Sequence, residues 1–263
     1  KIQERINNVY SNKNVYSDIV AEFPETALVE LSNACNHKCI FCTNSRMERE
    51  VSFLNKKNYK SFIDQGYKLG LKEVGLYTTG EPFFIKNIND YISYSKKAGI
   101  KYIYVTTNGA LLNKEKIESA FTSGLNSIKF SINAGSRETY KLVHGHDDFD
   151  KVIENVRLTH QFRKENNLEF PIYASCVVTR FVEDEKVKLK EILSPYVDDL
   201  VFFNVHSQFG QSLDFLDAMS ATSSNLDSKV VAKDQYTPCS FLWNRIHLTA
   251  ENFLTLCCVD YEN

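Results

Sequence analysis

Three cysteines fall within the segment Cys35-Asn36-His37-Lys38-Cys39-Ile40-Phe41-Cys42, directly after a short apolar run. Three soft thiolates on one stretch of backbone can hold three irons of a cuboidal iron–sulfur cluster. The fourth iron is then left without a protein ligand, open to bind and activate another molecule. The same spacing admits two other readings. Positions 35, 39 and 42 share one face of a helix, so a buried apolar stripe would repeat in the same way. Asn36, His37 and Lys38 between the first two cysteines suit an exposed loop better. A structural zinc ion is the third reading, with His37 as the fourth ligand, although closed zinc sites often pair their cysteines as Cys-x-x-Cys clamps.

Whatever it binds, this loop must be carried by a scaffold, and the rest of the chain predicts one. Strand-like runs rich in β-branched and aromatic residues occur at 27–32, 73–78, 101–106, 127–132, 171–178 and 200–206. Helical patterns lie between them at 55–69, 88–98, 114–123, 149–164 and 183–193, and Gly70, Gly99 and Gly124 follow the ends of three of these. Strand–helix alternation implies parallel strands joined by right-handed crossovers. Six strands are too few for a closed eight-fold barrel, so the expected fold is α/β, an open (β/α)6 partial barrel. In such barrels the loops at the strand C-termini converge on one mouth. Cys35–Cys42 follows the first strand, Gly80-Glu81 the second, Asn108 the third and Asn133 the fourth, which gathers four sequence-distant polar clusters around one cavity. Gly109 and Gly135 taken singly read equally well as turn residues.

The cysteine loop with Phe41 as its aromatic, Thr79-Gly80-Glu81-Pro82, Thr106-Thr107-Asn108-Gly109 and Ser131-Ile132-Asn133-Ala134-Gly135 occur in this order. Together they resemble the radical S-adenosylmethionine (SAM) enzymes, over the chain from about Ala27 onward. The resemblance implies that Cys35, Cys39 and Cys42 ligate a 4Fe-4S cluster whose free iron takes the amino and carboxylate groups of SAM. It implies reductive cleavage of SAM to a 5′-deoxyadenosyl radical, which abstracts a substrate hydrogen. It places Phe41 near the adenine and the backbone of Thr79, Gly80 and Glu81 at the methionine amino group. Asn108 would lie along the methionine, and Ser131 and Asn133 near the ribose or carboxylate. His144 stands where many relatives carry an arginine before a glycine; histidine can donate to a carboxylate but lacks the bidentate, permanently charged fork, and a helix-terminal histidine is the equal alternative. Thr79-Gly80-Glu81 likewise replaces the more usual Gly-Gly-Glu.

Beyond residue 206 the pattern changes. Residues 207–233 are rich in Ser, Asp and Ala, and apolar alternation on both sides of Ala250-Glu251-Asn252 predicts a β-hairpin. That hairpin would bring Cys239 and Cys257 together at its base, with Cys258 as a third ligand or a buried thiol. The arrangement resembles the start of the SPASM or twitch extensions of the family, which carry auxiliary iron–sulfur clusters. Relatives usually supply further cysteines some tens of residues on, so the extension reads as cut short, by truncation, by loss of the remaining ligands, or because no auxiliary cluster exists. The expected organisation is an arm or helix over 1–26, the barrel over 27–206, a linker over 207–237 and the start of the extension over 238–263. Cys176, within Tyr173-Ala174-Ser175-Cys176, is expected in the core.

An auxiliary cluster could accept the second electron from a substrate radical, making the reaction a net oxidation. The expected substrate is a small or carbohydrate-like metabolite, the alternative a side chain in a peptide or protein. A non-catalytic zinc or electron-transfer protein is the competing class. His206, Arg180, Tyr77 and Asp260 are candidates for a general base, and an electron donor such as flavodoxin or ferredoxin is the expected partner.

Composition sets the frame. The chain has 263 residues and 31 Lys and Arg against 33 Asp and Glu, a net charge of -2, so no basic excess points to nucleic acid. No apolar run approaches a membrane span, and Lys1-Ile2-Gln3-Glu4-Arg5 carries no signal-peptide pattern. Seven cysteines, clustered and odd in number, suit metal binding in a reducing cytoplasm better than disulfides.

Overall fold

Alternating apolar strands and one-sided helices assemble as the sequence pattern requires. The computed structural model describes residues 22–205, 241–257 and 262. Most of the expected arm, all of the expected linker, and His206, Cys239, Cys258 and Asp260 lie outside the described residues. Strands β1 (Thr26–Val29), β2 (Glu73–Gly75), β3 (Tyr102–Thr107), β4 (Ser127–Ser131), β5 (Ile172–Val178) and β6 (Asp199–Asn204) lie side by side in chain order, each parallel to the next. Helices α1 (Lys56–Leu69), α2 (Ile88–Ala98), α3 (Lys114–Thr122), α4 (Arg137–His144), α5 (Phe149–Glu165) and α6 (Lys186–Leu193) fill the crossovers. This is the α/β partial-barrel class that the alternation predicted.

Side-chain alternation gives the sheet two different faces. On β3, Ile103 and Val105 are buried, while Tyr102, Tyr104 and Thr106 on the other face are only half-buried. The helix-facing set continues through Val74, Ile128, Phe130, Ala174 and Cys176, all essentially inaccessible, so Cys176 is a core thiol as expected. The opposite, lumen-facing side carries Lys129, which registers with Tyr173 across β4 and β5. The Lys129 ammonium lies 5.8 Å from the Tyr77 ring centre and 6.0 Å from that of Phe203.

Three features differ from the sequence expectation. Strand β2 stops at Gly75 rather than 78: Leu76 N–H still donates to the Tyr104 carbonyl (2.8 Å), and the chain then bends toward the mouth. The two-turn helix α4, capped by Ser136, whose hydroxyl accepts from Thr139 N–H at 3.3 Å, was not anticipated. The expected hairpin forms, as β7 (Arg245–Leu248) and β8 (Leu254–Thr255) following the short helix α7 (Phe241–Asn244). It is not a separate appendage, however. β7 pairs in parallel with β1, from Thr26 opposite Arg245 to Val29 opposite Leu248, so one eight-stranded sheet runs β6-β5-β4-β3-β2-β1-β7-β8. Among the described residues no helix is long and apolar enough to cross a membrane.

The β7 pairing makes a pH prediction. His247 is buried, and burial followed by the nearby Arg245 charge lowers its pKa from 6.5 to about 4. The native ring therefore stays neutral where the unfolded chain takes up a proton. Stability from this group is fully present above about pH 6.5 and is lost as pH falls toward 4. Urea midpoints should decline across that window, and His247→Phe should reduce the slope; an unchanged slope would remove His247 as its source.

Candidate active site at the C-terminal edge of the sheet

The cysteine loop leaves the end of β1 and is fastened on three sides. On one side, α4 clasps it: Lys38 N–H donates to the His144 carbonyl (3.1 Å) and Ile40 N–H to the Val143 carbonyl (2.9 Å). On a second side, the Asn108 side-chain amide after β3 donates to Asn36 Oδ1 at 2.9 Å and lies 3.9 Å from Cys35 Sγ. On the third, Glu81 N–H donates to the Ala34 carbonyl (2.8 Å), which draws the loop after β2 against the loop after β1.

Several residues expected near SAM also use their side chains to brace the loops. Glu81 is buried and its carboxylate accepts from Thr107 Oγ1 (2.6 Å), Asn108 N–H (2.8 Å) and Phe83 N–H (3.1 Å), locking the loops after β2 and β3 together. Asn133 is buried: its Oδ1 accepts from Val177 N–H (2.7 Å), and its amide lies 3.4 Å from Ser131 Oγ and 3.2 Å from His144 Nε2. His144 is also buried, with Nε2 accepting from Asn133 N–H at 3.1 Å and Nδ1 3.5 Å from Cys39 Sγ. Thr79, Gly80 and Ser131 are half-buried at the mouth, and Phe41 packs partly buried against the core. Of the general-base candidates described, Tyr77 faces the lumen edge-on to Tyr104 (5.9 Å between ring centres), and Arg180 is exposed, stacked 4.8 Å over Phe181. Cys257 is half-buried after β8.

The three thiols of the loop are free, and burial raises the pKa of each. Cys35 is pushed up to about 12, and Cys39 is raised further by the neighbouring Cys42 and Cys35. Desolvated thiols remain protonated unless a metal centre takes their thiolates. Three thiols on one loop can take three corners of a cuboidal cluster. Among the described residues, His37, Cys39 and His144 also bring one donor atom each within 4.8 Å of one another.

Sequence reasoning missed Glu30 and Arg49. Glu30, at the end of β1, is buried and accepts from Thr78 Oγ1 (3.0 Å), Arg49 Nη2 (2.8 Å) and Ala250 N–H (3.0 Å). Arg49 also reaches Glu251 at 3.2 Å. The signal available was a lone carboxylate inside the apolar run Ala27-Leu28-Val29-Glu30-Leu31.

A chain with this sheet, and with a three-thiol loop at the strand-end mouth, matches the Radical SAM superfamily model over residues 29–186, well over half its length. It belongs to the Radical SAM superfamily. That family uses a 4Fe-4S cluster and SAM, and Cys35, Cys39 and Cys42 are the residues that would hold the cluster here. A probable GTP 3',8-cyclase of Saccharolobus solfataricus is 33% identical over 133 residues, 51% of this chain and 42% of that protein. An uncharacterised protein of Methanocaldococcus jannaschii is 28% identical over 177 residues, 66% of this chain and 54% of that one. The chain thus spans about half the length of these relatives. Among solved structures, Streptococcus suis SuiB bound to precursor peptide SuiA superposes with TM-score 0.68 at 16% identity, covering 98% of this chain and 64% of SuiB. BtrN in complex with AdoMet and 2-DOIA gives 0.55 at 14%, covering 92% and 76%. Both likenesses are of fold.

Proposed function

We propose that this chain cleaves SAM reductively and removes a hydrogen atom from a small or carbohydrate-like metabolite, in a net oxidation. The observation that carries the reading is the trio of free, desolvated thiols on one loop, at the mouth formed by the loops after β1 to β4. When bound, the cluster and SAM supply the electron and the adenosyl radical; the chain's own contribution is placement and exclusion of water. Cys35, Cys39 and Cys42 would fix three irons. The main chain of Thr79 and Gly80 would face the methionine end of SAM, held in place by Glu81 rather than by a side-chain contact from it. Asn108 would steady the cluster loop, and Ser131 and Phe41 would border the nucleoside.

A small substrate suits the lumen below, where Tyr77, Tyr102, Tyr104, Lys129 and Ser131 present hydroxyls, rings and one ammonium group. Similarity to a protein named as a probable GTP cyclase also favours a small molecule over a peptide. Cys257, with Cys239, is the proposed start of an auxiliary cluster that would take the second electron. A flavodoxin- or ferredoxin-type donor in the cytoplasm would deliver the first.

The test is anaerobic reconstitution of the full-length wild type and of its Cys35/Cys39/Cys42 triple alanine variant. The wild type should hold about eight irons and the variant about four, and only the wild type should release 5′-deoxyadenosine on reduction with SAM. 5′-Deoxyadenosine from the variant would overturn the main assignment. About four irons in the wild type and none in the variant would remove the auxiliary cluster and favour a redox-neutral reaction.

A further inference from the structure

His144 is held by a device the cluster reading does not require. Its Nε2 lies 3.1 Å from the main-chain N–H of Asn133, a donor that cannot be turned into an acceptor. Nε2 must therefore carry the lone pair, and in the neutral ring the proton sits on Nδ1. Nδ1 in turn lies 3.5 Å from Cys39 Sγ. The ring plane is fixed by Tyr140, stacked at 3.9 Å and 12°, and by His37, edge-on at 5.3 Å. The backbone around the ring is fixed too, because His144 and Val143 supply the carbonyls that hold Lys38 and Ile40, one residue either side of Cys39.

The same atoms exclude the competing use of this histidine. His37, Cys39 and His144 are close enough together to suggest a metal ion. To bind one through Nδ1, His144 would have to move its proton to Nε2 and turn that donor against the Asn133 N–H. The fixed tautomer makes His144 a donor to sulfur and not a ligand.

We propose that His144 donates an Nδ1–H hydrogen bond to the Cys39 thiolate of the cluster and thereby sets the cluster's reduction potential. This rests on the proposed cluster at Cys35, Cys39 and Cys42. The physical effect is direct: a hydrogen bond to a ligating sulfur withdraws electron density and favours the reduced cluster. His144 is a positioning residue, acting on the reaction through Cys39. The Asn133 N–H is its orienting group, which explains why the loop after β4 and the end of α4 are bonded to each other beneath the cluster loop.

The experiment compares the full chain with His144→Phe, which keeps the ring stacked on Tyr140 but has no donor, and with His144→Asn, whose amide can place an N–H near the Nδ1 position. Iron content is measured first, because loss of iron from the cysteine triple variant alone establishes the site on which the proposal stands. The cluster is then titrated with redox mediators and followed by electron paramagnetic resonance. His144→Phe should hold wild-type iron, yet its ratio of reduced to oxidised cluster at a fixed solution potential should fall about tenfold, equal to about 59 mV for one electron. His144→Asn should recover much of that shift. An unchanged potential in His144→Phe with full iron content would overturn the proposal. If His144→Phe fails to hold iron, the wild type decides the matter: hyperfine spectra should show a solvent-exchangeable proton and a histidine nitrogen coupled to the reduced cluster. Their absence, or a zinc ion bound by the wild type and lost in His144→Asn, would also overturn it.

Discussion

Replacing Glu30 with alanine should cost about 3–5 kcal/mol of folding stability, as expected when one member of a buried ion pair is removed and its partner left behind. The side chains of Glu30 and Arg49 are 2 % and 7 % exposed, so water cannot take over the lost bonds. Three donors lose their acceptor at once: Arg49, the Thr78 hydroxyl and the Ala250 amide. Arg49 keeps its link to Glu251, a side chain 23 % exposed, so Glu251→Ala should cost far less. Denaturant unfolding of both variants checks the order. Replacing Glu30 and Arg49 together with leucine and methionine should return part of the loss, because no buried charge is then stranded. Equal costs for the two single variants would show that the buried carboxylate is not the keystone of this network.

Gly80→Ala should abolish SAM binding while leaving most of the sheet folded. A Cβ at Gly80 would sit 2.1 Å from the Ser32 carbonyl oxygen and 2.7 Å from that of Ala34. Both obstacles are main chain, and both belong to the segment that leads into Cys35. No rotamer change relieves such a clash, so the loops after β1 and β2 must separate, breaking the Glu81 N–H to Ala34 bond. Overpacking of this kind commonly costs about 1–3 kcal/mol and here falls at the upper end or beyond. The comparison is Gly75→Ala, where the nearest atom is the end of the Leu28 side chain at 2.6 Å, which has some freedom to move. SAM binding by equilibrium dialysis and iron content after reconstitution distinguish the two. Wild-type SAM affinity in Gly80→Ala would show that the methionine end is held elsewhere.

The scaffold was legible because its signals are local. Period-2 and helical apolar patterns with glycine breaks located β1, β3, β4, β5 and most helices, and the strand-end rule then gathered the motif residues at one mouth. Side-chain roles were less legible. The sequence placed Glu81, Asn133 and His144 at the mouth, but that their side chains brace the loops beneath depends on tertiary partners such as Val177 N–H and Thr107 Oγ1. Helix α4 escaped because two turns give too few periods, although Tyr140, Val143 and His144 do form a buried i, i+3, i+4 stripe. The place of β7 was illegible for a different reason. Alternation marks a segment as a strand without naming its neighbour, and nothing near Arg245 points to Thr26.

That neighbour relation bears on how the protein is made. Glu30 and Ala250, bonded across the β1–β7 seam, stand 220 positions apart in the chain. On the ribosome, β1 and its cysteine loop emerge well before the strand that covers their free side. Throughout that interval β1 offers an uncovered edge, the kind of surface that invites pairing with another nascent chain. Closing a contact of such long range is also intrinsically slow. The cysteine loop thus acquires its final support only once β7 has been synthesised, so the timing of metal delivery relative to the closing of that seam becomes part of the biosynthesis of this protein.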